Sequence, residues 1–313
     1  VGAELAAPDP SVQSEARPHL PLGRRVELPR RGTTFVREVK GPPGAPTLLL
    51  LHGWIASGGL NWFRTFETLG QHFNVLAPDL RGHARGVRSR KVFRIHDCAD
   101  DAAEMLVAMD SGPVIAVGYS MGGPVAQQLF RRHRDLVSGL VFCATAPTFL
   151  LGQREKLIFT TMMASFAGTT RFGSLALAVP GLARRVQPIA ARNTSQGSLP
   201  AWAAGEMRRH DWRMIIEAGH SLGTYNARHW IHDVDVPTTV MVTEKDKAIP
   251  THVQMELAER IPGATVISVD DGHTVCAKES FAPPLLQACL QVAARAERHR
   301  FVLGPADNVP VPR

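Results

Sequence analysis

Cysteine, tyrosine and lysine are scarce in this chain of 313 residues, with four, two and six of each. The cysteines, at 98, 143, 276 and 289, show no CxxC spacing and no paired histidines. A zinc site is therefore not expected. Set in apolar runs, they read as buried free thiols, which fits a reducing compartment. No apolar run approaches the ~20 residues that span a bilayer. The first 23 residues, VGAELAAPDPSVQSEARPHLPLG, hold neither a positive start nor a hydrophobic segment. They do not read as a secretory signal, and the expected location is cytoplasmic. Long basic runs are also missing: 35 basic residues face 28 acidic ones, and the former cluster only as short pairs such as Arg24-Arg25 and Arg131-Arg132. Nucleic acid is thus not an expected partner. The net charge of +7 reads as a solvated face with at most a mild preference for anionic surfaces.

What is present is an ordinary globular composition, 44% apolar and 20% charged. A chain of this length buries enough surface to fold without a metal or disulfide staple. Residues 1–22, rich in Pro, Ala and polar residues, read as a loose extension. Strand-like stretches follow at 25–28 and 33–39. Nearly unbroken apolar runs then recur at 47–51, 74–77, 114–117, 140–143, 238–242 and 265–269. Such runs mark strands covered on both faces, as in a parallel sheet. Helical spacing lies between them at 96–109, 120–133, 252–261 and 285–297. Alternation of this kind predicts βαβ units and a doubly wound α/β sheet. It fails from about 148 to 235. There the helical pieces 154–166, 201–210 and 212–222, with a Gly/Pro-broken stretch at 173–200, read as an insertion. The expected division is a core of 23–147 and 236–313 with a helical cap of 148–235.

The sharpest motif is Gly118-Tyr119-Ser120-Met121-Gly122-Gly123, between the strand at 114–117 and a helix. This is the context a Gly-x-Ser-x-Gly nucleophile elbow requires. The turn is so tight that neighbours two residues away must be small. The serine hydroxyl then projects above a helix N-terminus, where the Met121 N–H can stabilise an oxyanion. A serine needs a base, and in this motif order the histidine comes late in the chain. His252, His273 and His299 follow the strand at 238–242. His273, in Asp271-Gly272-His273, sits at the carboxyl end of the strand at 265–269, where reacting groups of open α/β sheets gather. His252 and His299 read as surface residues. The orienting carboxylate is assigned to Asp246, beyond the strand at 238–242, with Glu244 its main competitor. Asp270 and Asp271 lie too near His273 in sequence. The loop His52-Gly53-Trp54-Ile55-Ala56-Ser57 should supply the second oxyanion donor, the Trp54 N–H, with Gly53 letting the backbone turn toward the serine. His52 reads as a brace for that loop. The Trp54 indole either walls a pocket or covers the core. Asp79-Leu80-Arg81-Gly82-His83 reads as a structural ion-pair and turn element.

Together, His52-Gly53, Asp79 to His83, Gly118 to Gly123, Asp246 with Pro250, and Gly272-His273 resemble the α/β-hydrolase superfamily, over roughly 25–147 and 236–297. The likeness is to esterase and lipase types with a helical cap. It implies an eight-stranded, mostly parallel sheet, a cap inserted after the sixth strand, and a serine mechanism with no cofactor and no metal. Departures are Ala84 where the family has glycine, an unusually basic loop at Arg85–Arg90, and no glycine before the acid.

Ser120 argues against the dehalogenases and epoxide hydrolases of this fold, which use an aspartate nucleophile. Carbon–carbon bond hydrolases, perhydrolases and non-catalytic ligand receptors on the fold keep the same triad and stay open, although Trp54-Ile55-Ala56-Ser57 departs from the carbon–carbon type. The expected activity is hydrolysis of carboxylic esters of small to medium acyl length, lipid-like ones included, through an acyl-enzyme. The expected partner is a small-molecule ester. Cap residues such as Phe149, Leu157, Met162, Phe166 and Met207 would pack the cap or line an acyl pocket. The histidines at 210, 220, 229 and 232 read as polar cap surface.

Overall fold

The computed structural model describes residues 18–149 and 198–303, and the fold is built from these. The helix expected at 154–166, the broken stretch up to 197 and most of the N-terminal extension lie outside the described residues, as do the expected cap positions Leu157, Met162 and Phe166. Strands β1 (Gly23–Leu28), β2 (Gly32–Val39), β3 (Thr47–Leu51), β4 (Asn74–Pro78), β5 (Val114–Tyr119), β6 (Val137–Cys143), β7 (Thr238–Thr243) and β8 (Thr265–Val269) form one sheet. Their order is β1-β2-β4-β3-β5-β6-β7-β8. β2 runs antiparallel to both β1 and β4, and every other pairing is parallel. This is the eight-stranded, mostly parallel α/β sheet that the sequence predicts.

The apolar runs behave as two-sided strands should. In β3, Leu49 and Leu51 enter one core while Leu48 and Leu50 enter the other. In β5, Val114 and Ala116 face one side, and Ile115, Val117 and Tyr119 the other. Successive side chains of a strand point to opposite faces, so each run needs cover on both. Helices α3 (Ile95–Ala108), α4 (Gly122–Arg132) and α7 (Thr251–Arg260) cover one face through Met105, Leu129 and Leu257. On the other lie two short helices, α1 (Gly58–Trp62) and α2 (Phe66–Gly70), with Trp62, Phe66 and Leu69, and the long C-terminal α8 (Ala282–Leu303), with Leu285, Cys289 and Val292. The four cysteines are free, and only Cys276 is not fully buried. Among the described residues no helix is long and apolar enough to cross a membrane.

Between β6 and β7 the described chain forms α5 (Leu199–Met207) and α6 (Trp212–Thr224). Ser198 caps the first through Ala201 N, and Asp211 caps the second through Met214 N at 3.3 Å. Helix α6 is not a detached lid. Its Met214, Ala218 and Leu222 join the core that α3 and α4 build.

The sheet's switch point fixes where a site can form. The chain leaves β3 toward β4 on one side and returns to β5 on the other, so the carboxyl ends of β3 and β5 open side by side, with Leu51 paired to Gly118. Ligands of open α/β sheets bind in such a crevice.

The segment Asp79 to His83 is structural, as the sequence indicates. Arg81 donates from Nε and Nη2 to the two oxygens of Asp101, at 2.8 and 2.6 Å, and Arg31 Nε adds a third bond at 2.5 Å. Burial pushes the Asp101 carboxyl above its ordinary range, and the two arginines partly offset this. Removing one partner of a buried pair strands the other charge. Asp101→Ala is expected to lower unfolding free energy by ~3–5 kcal/mol in denaturant titration. A loss under ~1 kcal/mol would show that Arg81 finds water instead.

Candidate active site

Ser120 sits at the turn between β5 and α4 with φ +49°. A left-handed conformation costs a non-glycine residue of order 1–3 kcal/mol and persists only where the surroundings impose it. Here they do. The Ser120 N–H donates to the Cys143 carbonyl at 2.9 Å, and its own carbonyl accepts from Gly123 N and from Thr145 Oγ1 at 2.8 Å. The flanking glycines are needed for close approach. A methyl group at 118 would lie 2.5 Å from the Gly122 carbonyl oxygen, and one at 122 would collide with the Leu51 carbonyl. The Gly-x-Ser-x-Gly spacing is thus the steric signature of β5 and α4 meeting over the end of β3.

Loops from the ends of β7 and β8 bring Asp246 and His273 to the serine. His273 Nε2 lies 3.0 Å from Ser120 Oγ, and His273 Nδ1 lies 2.8 Å from Asp246 Oδ2. Since Asp246 accepts at Nδ1–H, Nε2 is left to accept the serine hydroxyl proton. The Asp246 side chain is fully buried, whereas His273 keeps 27% of its side chain exposed. Asp246 Oδ1 accepts from the main-chain N–H groups of Ala248 and Ile249, at 2.8 and 2.9 Å, and Oδ2 also accepts from Thr243 Oγ1 at 2.8 Å. Burial alone would raise this carboxyl. The bonds from His273, Ile249 and Thr243 outweigh it and hold the carboxyl below its ordinary value. It therefore stays ionised wherever His273 needs an anion.

The competitors fall away on geometry. Glu244 is exposed. Asp271 turns to its own loop, accepting from Gly272 N at 2.7 Å and Lys278 Nζ at 2.8 Å, and Asp270 pairs with Lys245. His252 is exposed, and the side chain of His299 lies outside the described residues. One contributor was invisible in the sequence. Tyr119 Oη donates to the His273 carbonyl at 2.5 Å and so pins the histidine loop to the elbow. A tyrosine in the variable position of the motif gives no signal of this.

The loop after β3 lies against the serine. A methyl group on Gly53 would touch Ser120 Cβ at 3.4 Å, and Gly53 N donates to Asn61 Oδ1 at 2.9 Å. The left-handed residue in this loop is Ile55, with φ +60°, rather than Gly53. Gly53 serves close approach, not the turn. Among the described residues, neither the Trp54 nor the Met121 main-chain N–H donates a hydrogen bond.

His52 braces this loop. It is fully buried, donates from Nδ1 to the Gly53 carbonyl at 2.8 Å, and accepts the Leu80 N–H at Nε2 at 2.9 Å. The Trp54 indole N–H donates to the Ile215 carbonyl of α6 at 2.8 Å, which ties the loop to the inserted helices. His210 departs from the surface reading. It is buried, accepts the Ala84 N–H at 2.8 Å and donates to the strained Ile55 carbonyl at 3.3 Å. His229 and His232 are exposed, as expected. No cluster of metal-ligating side chains occurs among the described residues.

Residues 46–280 match the family of the alpha/beta hydrolase fold. Over 284 residues the chain is 29% identical to the poly(3-hydroxyalkanoate) depolymerase of Ectopseudomonas oleovorans, covering 88% of this chain and 95% of that one. A 107-residue stretch is 33% identical to the pimeloyl-[acyl-carrier protein] methyl ester esterase of Nitrosospira multiformis, covering 34% of this chain and 40% of the relative. The fold superposes on the esterase of Exiguobacterium antarcticum with a TM-score of 0.66 at 18% identity, covering 85% of this chain and 98% of that structure.

Burial holds the His52 imidazole down at about 3 against an ordinary 6.5. Its folded form stays neutral while the unfolded chain takes up a proton, so stability falls as pH drops below 6.5. At about pH 5 this one residue should have removed ~2 kcal/mol, with His83 and His210 adding to the slope in the same direction. The measurement is unfolding free energy against pH, paired with imidazole ¹⁵N shifts. A His52 ring protonated at about pH 5 in the folded state would contradict the expectation.

Proposed function

The chain belongs to the alpha/beta hydrolase fold family, and on that premise we propose that it is a serine hydrolase cleaving carboxylic esters with Ser120, His273 and Asp246. One observation carries the reading: the unbroken relay from Ser120 Oγ through His273 Nε2 at 3.0 Å to Asp246 Oδ2 at 2.8 Å, built on a serine held at φ +49°. The relatives named as a depolymerase of poly(3-hydroxyalkanoate) and as a methyl ester esterase support ester chemistry.

Each step follows from proton positions. Ser120 Oγ attacks the ester carbonyl carbon as its proton passes to His273 Nε2. The imidazolium that forms is stabilised by the ionised Asp246. Negative charge develops on the former carbonyl oxygen. The Trp54 and Met121 N–H groups, which donate to no other group among the described residues, would donate to that oxygen, an arrangement in which one donor is worth roughly 10²–10³ in rate. The Nε2 proton then goes to the departing alkoxide as the carbon–oxygen bond breaks, leaving an acyl ester on Ser120. Water repeats the sequence, with His273 taking its proton and returning it to Ser120 Oγ as the acid leaves. Every catalytic group in this cycle is a residue of the chain, and water is the second substrate.

We assign residues 148–235 as a cap over this site. Its described part supports the assignment, because α6 holds the Trp54 indole through the Ile215 carbonyl. The cap would set the acyl preference, which we place at small to medium and lipid-like chains.

The test is hydrolysis of p-nitrophenyl esters from acetate to palmitate. Turnover should peak at one chain length and fall by ~10⁴-fold or more in Ser120→Ala, with far-UV circular dichroism unchanged. Asp246→Asn should cost about 10⁴ in kcat through loss of the correct imidazole tautomer. Turnover that is absent at every chain length, or unaltered by Ser120→Ala, would overturn the reading.

A further inference from the structure

The segment from 81 to 94, RGHARGVRSRKVFR, holds six basic residues and no acidic one. It leads from β4 to α3 and passes beside the turn joining α5 to α6, which reads Arg208-Arg209-His210-Asp211-Trp212-Arg213. Hydrogen bonds join the two segments. Arg88 donates from Nη2 to the Arg209 carbonyl, and Arg213 from Nη2 to the Ser89 carbonyl. Two of the carboxylates within reach are buried, and the third, Asp211, is partly exposed beside Arg213. Glu206 is buried against Arg85, Glu217 is buried against Arg213, and Asp211 caps α6. Arg88, Arg90, Lys91, Arg208 and Arg209 are exposed, and Arg209 lies 3.8 Å from Glu206.

Apolar side chains share that surface. Few large hydrophobic residues are exposed on the described chain; two of them lie in these two segments and a third ends α5 just before the turn. They are Trp212, Val92 and Met207, with 50%, 51% and 36% of their surface open to water. Tryptophan at the rim of a basic patch is the composition of a membrane-interface surface. The indole sits at headgroup level, and arginines meet anionic lipid phosphates.

We propose that this face, formed by the 85–92 loop and the 207–213 turn, adsorbs to anionic lipid bilayers. Charge complementarity selects a bilayer carrying negative headgroups, and the three apolar side chains seat the contact in the interface. The face adjoins the site: His210, at the centre of the turn, hydrogen-bonds the Ile55 carbonyl next to Trp54. Adsorption would therefore hold the oxyanion loop close to the lipid surface. The inference does not depend on Ser120 chemistry.

The experiment is co-sedimentation of the whole protein with sucrose-loaded vesicles. One set is pure phosphatidylcholine, and the other holds about one third phosphatidylglycerol. Binding should occur on the anionic vesicles, be at least ~10-fold weaker on the neutral ones, and fall as salt shortens the Debye length. The double variant Arg208→Glu/Arg209→Glu should lose about tenfold or more of the partition coefficient. Trp212→Ala should lose several-fold at unchanged charge, and Ser120→Ala should bind like the parent. Circular dichroism shows that each variant is folded. Equal binding to both vesicle types, or binding that survives the double charge reversal, would overturn the proposal. Capture of heparin by the same patch with no vesicle binding would also overturn it, in favour of an acidic macromolecule.

Discussion

The turn at Ser120 is a steric bargain among three strands. β3 and β5 are adjacent and parallel, and α4 must start at once over their ends. The backbone at 120 is held in the left-handed region, where its N–H reaches the Cys143 carbonyl and its carbonyl accepts from Thr145. Glycine at 118 and 122 follows, because a methyl group at either position would strike main-chain atoms. The hydroxyl is thereby aimed at the crevice where the sheet's winding reverses. The other parts of the site are placed with reference to it: the β3 loop by contact across Gly53, and His273 by the Tyr119 hydroxyl.

Buried polar side chains, together with the packing of Trp54 on the core, hold the loop after β3. His52 bonds at both ring nitrogens to Gly53 and Leu80. Asp79 accepts from Gly58 N at 2.9 Å and Arg85 N at 3.1 Å. Glu206 on α5 takes two bonds from Arg85, at 2.9 and 2.6 Å, and one from Ser57 Oγ at 3.3 Å. Such networks are costly when partly satisfied and rigid when complete. This one also spans the core and the inserted helices, so a shift of α5 or α6 would be felt at Trp54 and Ile55. The polarity of the Asp79 to Arg85 region and the strain at Ile55 belong to the same construction.

The sheet was legible because its signal is local. A run such as Thr47 to Leu51 can be covered only on two sides, and each of the eight strand-like stretches appears where the pattern puts it, unchanged or extended by up to three residues. Ser120, His273 and Asp246 were legible because each follows a strand at its carboxyl end, and the structure brings those three together. Helices α1 and α2 escaped notice since five residues carry too little period to register. His210 was misread because its burial comes from a tertiary contact 155 residues away in sequence. Tyr119 and Ile55 gave no warning for the same reason: a bond to a distant carbonyl, or a φ imposed by neighbours, leaves no local pattern.

The central claim is that position 120 is a nucleophile activated by His273, and labelling by a fluorophosphonate tests it most directly. Intact and peptide mass spectrometry should find one adduct per chain, on the peptide carrying Ser120. The rate of labelling should collapse in His273→Ala although the serine remains. An adduct on another residue, or labelling that proceeds at the parent rate without His273, would contradict the account.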